Sequence, residues 1–277
     1  MTVLNTFWDE WIPARPESAS PRKPPERLDG KDLCFWYAST RIAEASASCR
    51  YRIGNLVELL RGSTAVMGRA LPHSRTFGKR AVIAVRPLVD AHFARHLARL
   101  RRQGILLVAD FDDLLFDCEP DYYPAILNGA RRALHERRLE RYRASLAHFD
   151  AFLVATEPLA EHLRSLRVGA PVHVVPNCLS LHWVRQGELL YPPWRPGCPK
   201  IIRYFSGSPT HDRDFSEIEE QLAAFLTQHP EVRLEVVGHL AFDRSRLPPA
   251  QVSYRAHLPF EWLPELLSES WVALAPL

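Results

Sequence analysis

Apolar residues along this chain fall into two alternating patterns, short unbroken runs and stripes spaced three or four apart. The first pattern suits strands buried on both faces, and the second suits one side of a helix. Residues 33–38, LCFWYA, make the first run, and a polar loop over 39–52 follows it. Ile53, Leu56, Val57 and Leu60 then predict a helix closed by Gly62. A short run at 65–67 and a clearer one at 81–85, stopped by Arg86-Pro87, predict two more strands. Phe93, Leu97 and Leu100 mark the next helix, with Asp90 as its cap and Gly104 as its stop. Residues 105–109 predict a strand that runs straight into Asp110-Phe111-Asp112-Asp113. An arginine-studded helix over 126–149, a strand at 152–155, a helix at 158–167 and a strand at 172–175 complete this half. Strand and helix in regular alternation specify a parallel α/β domain, here 33–180.

Residues 181–200 break that rhythm. Pro192-Pro193 and Pro196-Gly197-Cys198-Pro199 cannot continue a helix or a central strand, so the stretch is expected to be a linker. A second α/β domain is expected over 201–277, organised around 201–238. That segment opens with a β-rich run at 201–205 and stops at Ser206-Gly207-Ser208-Pro209. Ile218, Leu222, Phe225 and Leu226 follow as one face of a helix, with Asp214 and Glu217 spaced as a capping box. His229-Pro230 ends it, and 232–237 predicts a strand closing on Gly238. Strand, small-residue turn, helix, strand is a βαβ unit with a right-handed crossover. Beyond it, the domain continues through 252–255, Pro264 predicts a helix start with Leu266 and Leu267 facing inward, and 271–274 predicts a final strand.

The turn of that unit is the first candidate site. Ser206, Gly207, Ser208 and Thr210 are small or hydroxylic, so backbone amides can approach a phosphate closely, and His211 and Arg213 could add charge. Asp212 and Asp214 would repel an anion. A phosphate-binding turn and a capped turn with no ligand both remain open on these residues.

Composition narrows the class. With 277 residues, two domains are the prior, and 47% hydrophobic content can fill two cores. No apolar run approaches membrane-spanning length. The proline- and charge-rich start, 1–32, lacks the order of a signal peptide and predicts a loose lead-in. Cys34, Cys49, Cys118, Cys178 and Cys198 are dispersed without metal-like spacing, as expected of reduced thiols in the cytoplasm. Lysines stand only at 23, 31, 79 and 200, so arginine carries nearly all positive charge. A net charge of +3 does not call for nucleic acid. The histidines are expected to form no metal site, and no cofactor is expected.

Val174-Val175-Pro176-Asn177 resembles the apolar-apolar-Pro-Asn signature that ends the N-terminal domain of retaining GT-B glycosyltransferases of the group-1, family-four type. The strand and helix before it, Ala151 to Thr156 with Leu159, Ala160 and Leu163, are similar to the family's lead-in. Residues 201–215 resemble the first turn of the donor domain, and Val236-Val237-Gly238 its second strand. The resemblance covers about residues 33–277. Cys178 stands where the family has glycine, only Arg213 matches the donor turn's basic pair, and the usual Gly-Gly loop is replaced by Ser46 to Arg52.

This resemblance implies an α/β fold of two Rossmann-like domains, the second one incomplete. It also implies transfer of a sugar from a nucleotide-diphosphate donor to an envelope glycan or lipid-linked acceptor in a bacterial cytoplasm. Donor contacts would come from Ser206, Gly207, Ser208, Thr210, His211, Arg213 and Gly238, and acceptor-side candidates are Asp110, Asp112, Asp113 and Arg52. No residue is assigned as catalytic, since the family's glutamate pair would fall beyond residue 277. A shortened member that binds without catalysing is therefore an alternative. The acidic run also resembles the haloacid-dehalogenase nucleophile motif, with Asp110 attacking phosphate and Asp112 protonating the leaving group, although Leu114 departs from that pattern. A purely structural carboxylate cluster is the third reading. The arginines at 131–143 alternate with Glu136 and Glu140, which favours a solvated, salt-bridged face over peripheral contact with anionic lipid at the inner membrane face.

Overall fold

In the computed structural model, which describes residues 27–38, 47–117, 129–166, 168–179, 181–190, 194–207 and 212–275, the apolar runs of the first half lie side by side. They are β1 (Leu33–Tyr37), β2 (Thr64–Met67), β3 (Ala81–Val85), β4 (Leu106–Phe111), β5 (Ala151–Val154) and β6 (Val172–Val174). All pair in parallel in the order β2-β1-β3-β4-β5-β6. The runs are unbroken because both faces are covered. Cys34, Trp36, Leu107 and Phe152 enter one core with Phe93, Leu97 and Leu163, while Leu33, Phe35, Ile83 and Val108 enter a second with Ile53.

The helices between these strands are α1, in three consecutive stretches (Ala47–Cys49, a π-helical Arg50–Gly54 and Asn55–Leu59), α2 (His73–Thr76), α3 (Ala91–Arg102), α4 (Gly129–Ser145) and α5 (Glu157–Ser165). Asp90 caps α3 as its spacing predicts, its carboxylate accepting from the Phe93 amide at 2.8 Å. The polar stretch 39–52 departs from the loop expected of it, since α1 already begins at Ala47. Its polarity misleads at Arg52, which is fully buried and hydrogen-bonded rather than solvated. Residues 39–46 and 118–128 lie outside the described residues.

The described residues up to 179 form one compact unit, and those from 181 form a second. The second unit begins with helix α6 (Leu181–Leu190), in a stretch expected to be linker. The expected breakers, Pro192 and Pro193, come only after it, and Trp183 already packs edge-on against Phe260 at 4.9 Å. Strands β7 (Lys200–Ser206), β8 (Val232–Gly238), β9 (Val252–Arg255) and β10 (Val272–Leu274) are again all parallel, in the order β10-β7-β8-β9. The single helix expected after β7 is two, α7 (Asp212–Ser216) and α8 (Glu219–Gln228). The break seats Phe215, fully buried, between the rings of Tyr204 and Phe242 at 5.0 and 4.9 Å. Helix α9 (Leu263–Glu269) starts at its proline, and of the two leucines expected inward only Leu266 is buried, Leu267 being 47% exposed. The chain is thus an α/β protein of two Rossmann-like units.

The two faces of the second sheet differ. Ile202, Tyr204, Leu234 and Val236 fill the core under α8. The opposite face carries Arg203, in register with Glu235. The buried Arg203 guanidinium donates to Glu235 at 2.5 Å, to the Leu266 carbonyl at 2.5 Å, and to Ser270 and Glu269 at 3.2 Å each. Arg255 donates to the other Glu235 oxygen at 3.0 Å. Burial pushes the Glu235 carboxyl up, but the hydrogen bonds from Arg203 and Arg255 outweigh it and hold the group below its ordinary 4.5. A carboxyl depressed in the fold contributes stability above its unfolded pKa and loses it as pH falls through the folded value. Glu235→Gln should therefore lower stability by about 3 kcal/mol at neutral pH. Urea unfolding of both proteins on acidification should show the gap closing below pH 4.5.

Candidate functional site

In the first sheet the chain runs outward from β1 to β2 on one side and to β3 on the other. Such a reversal leaves a crevice beyond the carboxyl ends of the flanking strands, where parallel α/β sheets bind ligands. The residues at those ends are Tyr37 on β1, Arg86 after β3, and Asp110 to Asp113 at the end of β4.

Arg52 organises this edge from beneath. Its Nε and Nη2 donate to the two carboxylate oxygens of Asp110 at 2.8 and 2.7 Å, and neither side chain has exposed surface. Its Nη1 donates to the Val175 carbonyl at 2.5 Å and to Asn177 Oδ1 at 3.3 Å. Asn55, one turn further along α1, donates from Nδ2 to the Cys178 carbonyl at 2.5 Å. The π-helical stretch Arg50–Gly54 buries Arg52 and Ile53 together, so the widened turn sends the guanidinium inward beside an apolar neighbour. The Val-Val-Pro-Asn segment is thereby tied to β4 and α1 through one side chain. Burial pushes the Asp110 carboxyl up to about 6, with the Arg52 hydrogen bonds and charge pulling against that rise and Asp112 adding to it.

Arg86 sits above this tie. It is the non-glycine residue with positive φ among those described, at 47°. Its amide donates to the Asp110 carbonyl at 2.8 Å, its Nε donates to Asp112 at 2.5 Å, and its Nη2 lies 3.6 Å from Asp113. Burial alone would lower the Arg86 pKa, but the Asp112 carboxylate, helped by Asp113 and Tyr37, raises it. Left-handed backbone at a bulky residue costs about 1–3 kcal/mol and is characteristic of functional edges.

Four acceptor-side candidates are thus placed at different depths. Arg52 and Asp110 lie in the interior, Asp112 is nearly covered, and Asp113, at 62% side-chain exposure, meets solvent. The phosphatase expectation does not survive this arrangement. Asp110 has no exposed surface and is held by the buried Arg52 guanidinium through both oxygens, so a phosphate outside cannot reach it.

In the second unit the chain runs from β7 to β8 and β9 on one side and returns to β10 on the other. Ser206 and Gly207 therefore stand at the carboxyl end of β7, where the order reverses. Gly238 ends β8 beside them with φ 103°, and a Cβ there would lie 2.0 Å from the Ser206 carbonyl oxygen. The next residue, His239, donates its amide to that carbonyl at 3.0 Å and accepts from the Ser206 hydroxyl. Asp212 accepts from the Ala241 amide at 2.9 Å. Burial, with Asp214 and Asp212 nearby, pushes the Tyr204 phenol up to about 12. The Arg213 side chain is about half exposed, 3.9 Å from Glu217. Ser208, Thr210 and His211 fall outside the described residues. Arg86, Asn55 and the Asn177 contact to Arg52 were not among the sequence-predicted site residues. The signal for Arg86 was a lone arginine between a buried strand and a proline; the other two were signalled only by their nearness to recognised segments.

No protein-family model and no curated protein matches the chain. Among solved structures the chain is similar to S. aureus MnaA in a co-structure with UDP, at 10% identity and TM-score 0.47, over 87% of this chain and 73% of that one. It is also similar to UDP-GlcNAc 2-epimerase from Neisseria meningitidis bound to UDP-GlcNAc, at 11% identity and TM-score 0.41, over 87% of this chain and 76% of that one. Both likenesses concern the course of the backbone.

Removing one member of a buried ion pair strands the other charge. Asp110→Asn should therefore cost about 3–5 kcal/mol in urea unfolding, while Asp113→Asn, at an exposed carboxylate, should stay within about 0.5 kcal/mol. Comparable losses in the two variants would contradict the assigned depths. Gly238→Ala should cost more than about 1 kcal/mol by the same measurement, because both the φ angle and the Ser206 carbonyl oppose a side chain.

Proposed function

We propose that this chain binds a nucleotide-diphosphate sugar through its second unit and serves sugar transfer of the glycosyltransferase type. The observation that carries the reading is the β10-β7-β8-β9 order, with the small residues Ser206 and Gly207 ending the central strand at the reversal. A diphosphate needs backbone amides that it can approach closely, and residues without bulk at that position allow it. Gly238, pressed against the Ser206 carbonyl, keeps the neighbouring strand end equally free of side chain. Arg213 supplies a half-exposed cation for the charge that develops as the diphosphate departs.

The acceptor, a glycan or lipid-linked saccharide, belongs in this reading to the first unit. Asp113 would accept hydrogen bonds from its hydroxyls, and Arg86, braced by Asp112, would present a fixed guanidinium edge. Arg52 and Asp110 would act by holding that edge in place, without touching either substrate. Among the described residues no helix is long and apolar enough to cross a membrane. A form that binds donor without transferring its sugar is the second reading.

Isothermal titration of the full chain with UDP, GDP and their sugars tests the proposal. One nucleoside diphosphate should bind saturably, and Arg213→Ala should weaken it by about 1.5–3 kcal/mol, as expected for one charge-assisted hydrogen bond. Absence of heat with every ligand, from protein with native circular dichroism, would overturn the donor assignment. Binding without release of labelled sugar to any saccharide acceptor would select the non-catalytic form.

A further inference from the structure

The sequence His92-Phe93-Ala94-Arg95-His96 puts two histidines four residues apart, on one face of α3. Their Nε2 atoms lie 3.1 Å apart, with the rings near perpendicular at 79°. The His96 ring is held from behind by Trp36, edge to face at 5.6 Å. Trp36 is itself locked, with no exposed surface, a stack on Phe93 at 4.1 Å, and an indole N–H donated to the Gly68 carbonyl at 2.9 Å. The histidines are only half-buried, so the pair is preorganised and reachable at once. None of these residues takes part in the donor and acceptor roles assigned above.

We propose that His92 and His96 form a two-nitrogen site for a borderline divalent cation, copper(II), nickel(II) or zinc, completed by water. The spacing carries it. With metal–nitrogen bonds of ~2.0–2.1 Å, a 3.1 Å separation between the donor atoms subtends roughly 100° at a shared ion. That angle lies between the square and tetrahedral values, so a turn of the rings, with α3 in place, brings both lone pairs onto one ion. Among the described residues no group of three or more histidine, cysteine or acidic side chains could hold a metal, which makes this a site of two protein ligands. Imidazole nitrogens favour copper above nickel and zinc, and discriminate against magnesium and calcium, which take oxygen ligands.

The proton inventory shows what binding must change. In the metal-free pair one ring donates Nε2–H and the other accepts. Arg95 Nη2 lies 3.4 Å from His92 Nδ1, which assigns that nitrogen as the acceptor and His92 Nε2 as the donor toward His96. For both Nε2 lone pairs to meet one ion, the His92 proton moves from Nε2 to Nδ1 and the Arg95 contact opens; no net proton is released. Burial, with His92, Arg99 and Arg95 nearby, holds the His96 pKa below its ordinary value. The charges around the site are Arg95 and Arg99, together with the Arg69–Asp90 pair at the start of the helix. Arg95 therefore opposes the ion twice, by its charge and by its claim on Nδ1.

The test is calorimetric titration of the full chain with nickel chloride and with copper chloride at neutral pH, in a buffer that does not chelate. One class of site should weaken at least about tenfold in His92→Ala and in His96→Ala, remain in His229→Ala, and tighten in Arg95→Gln. Magnesium chloride should give no heat. Metal should also raise the melting temperature of the wild type but not of His92→Ala, because the ion binds the helical geometry and not the unfolded chain. Should His96→Ala lose its fold through Trp36, the His92 and Arg95 variants still decide the matter. Absence of metal binding, or titrations that are the same with and without His92, would reduce the pair to an ordinary hydrogen bond and overturn the proposal.

Discussion

A guanidinium taken fully out of water has to find fixed partners for its donors, and the edge of the first sheet is built around that requirement. Arg52 reaches β4 through both oxygens of Asp110 and the segment after β6 through Val175 and Asn177. Because arginine does not deprotonate in proteins, none of these contacts can be dropped without leaving charge in a dry interior. Three segments far apart in the chain are thus held in one arrangement by geometry rather than by apolar packing, which would tolerate sliding. Arg86, with its backbone in the left-handed region, donates its amide to the Asp110 carbonyl, so the Arg52–Asp110 tie beneath it braces that conformation.

The second unit repeats the device in another place. Arg203 crosses from β7 to Glu235 on β8 and to the end of α9, on the sheet face away from the apolar core. Each unit therefore combines a hydrophobic core, which sets how strands alternate, with one arginine that sets where a helix or loop meets the sheet. The two arginines also separate the surfaces available to ligands from the structure that supports them, since neither is exposed.

How much of this was visible beforehand depended on whether a residue followed the local rhythm. Strand 81–85 and the Asp90 cap coincide with what the spacing predicts, because apolar runs and capping carboxylates act within a few residues. The loop expected over 39–52 and the linker expected over 181–200 both contain helix. Only the fold supplies the partners of Arg52, and of Asn55 just beyond that loop, from 58 to 125 residues away. Arg203 was equally hidden inside an apolar run, where one charged residue looks like a surface position. Leu267 shows the opposite error, an apolar residue assigned to a core that its helix turns away from. The candidate turn at Ser206-Gly207 was legible from residue size alone, whereas its place at a reversal of strand order depends on β10, which pairs next to β7 from the far end of the unit.

The separation along the chain between Arg52 and its partners has a consequence for biosynthesis. Asn177 lies 125 residues after Arg52, so at about 5–20 residues per second it is made roughly 6–25 s later. Asp110, 58 residues after Arg52, can engage the guanidinium first, but its third donor waits for the later segment while the nascent strands β1 to β5 pair without a finished edge. The last polar partners to leave the ribosome are the ones that let the first helix seat. Closure of this unit is thus timed by translation of the Val-Val-Pro-Asn segment, and a pause just before it would prolong the exposure of an apolar sheet still waiting for its cover.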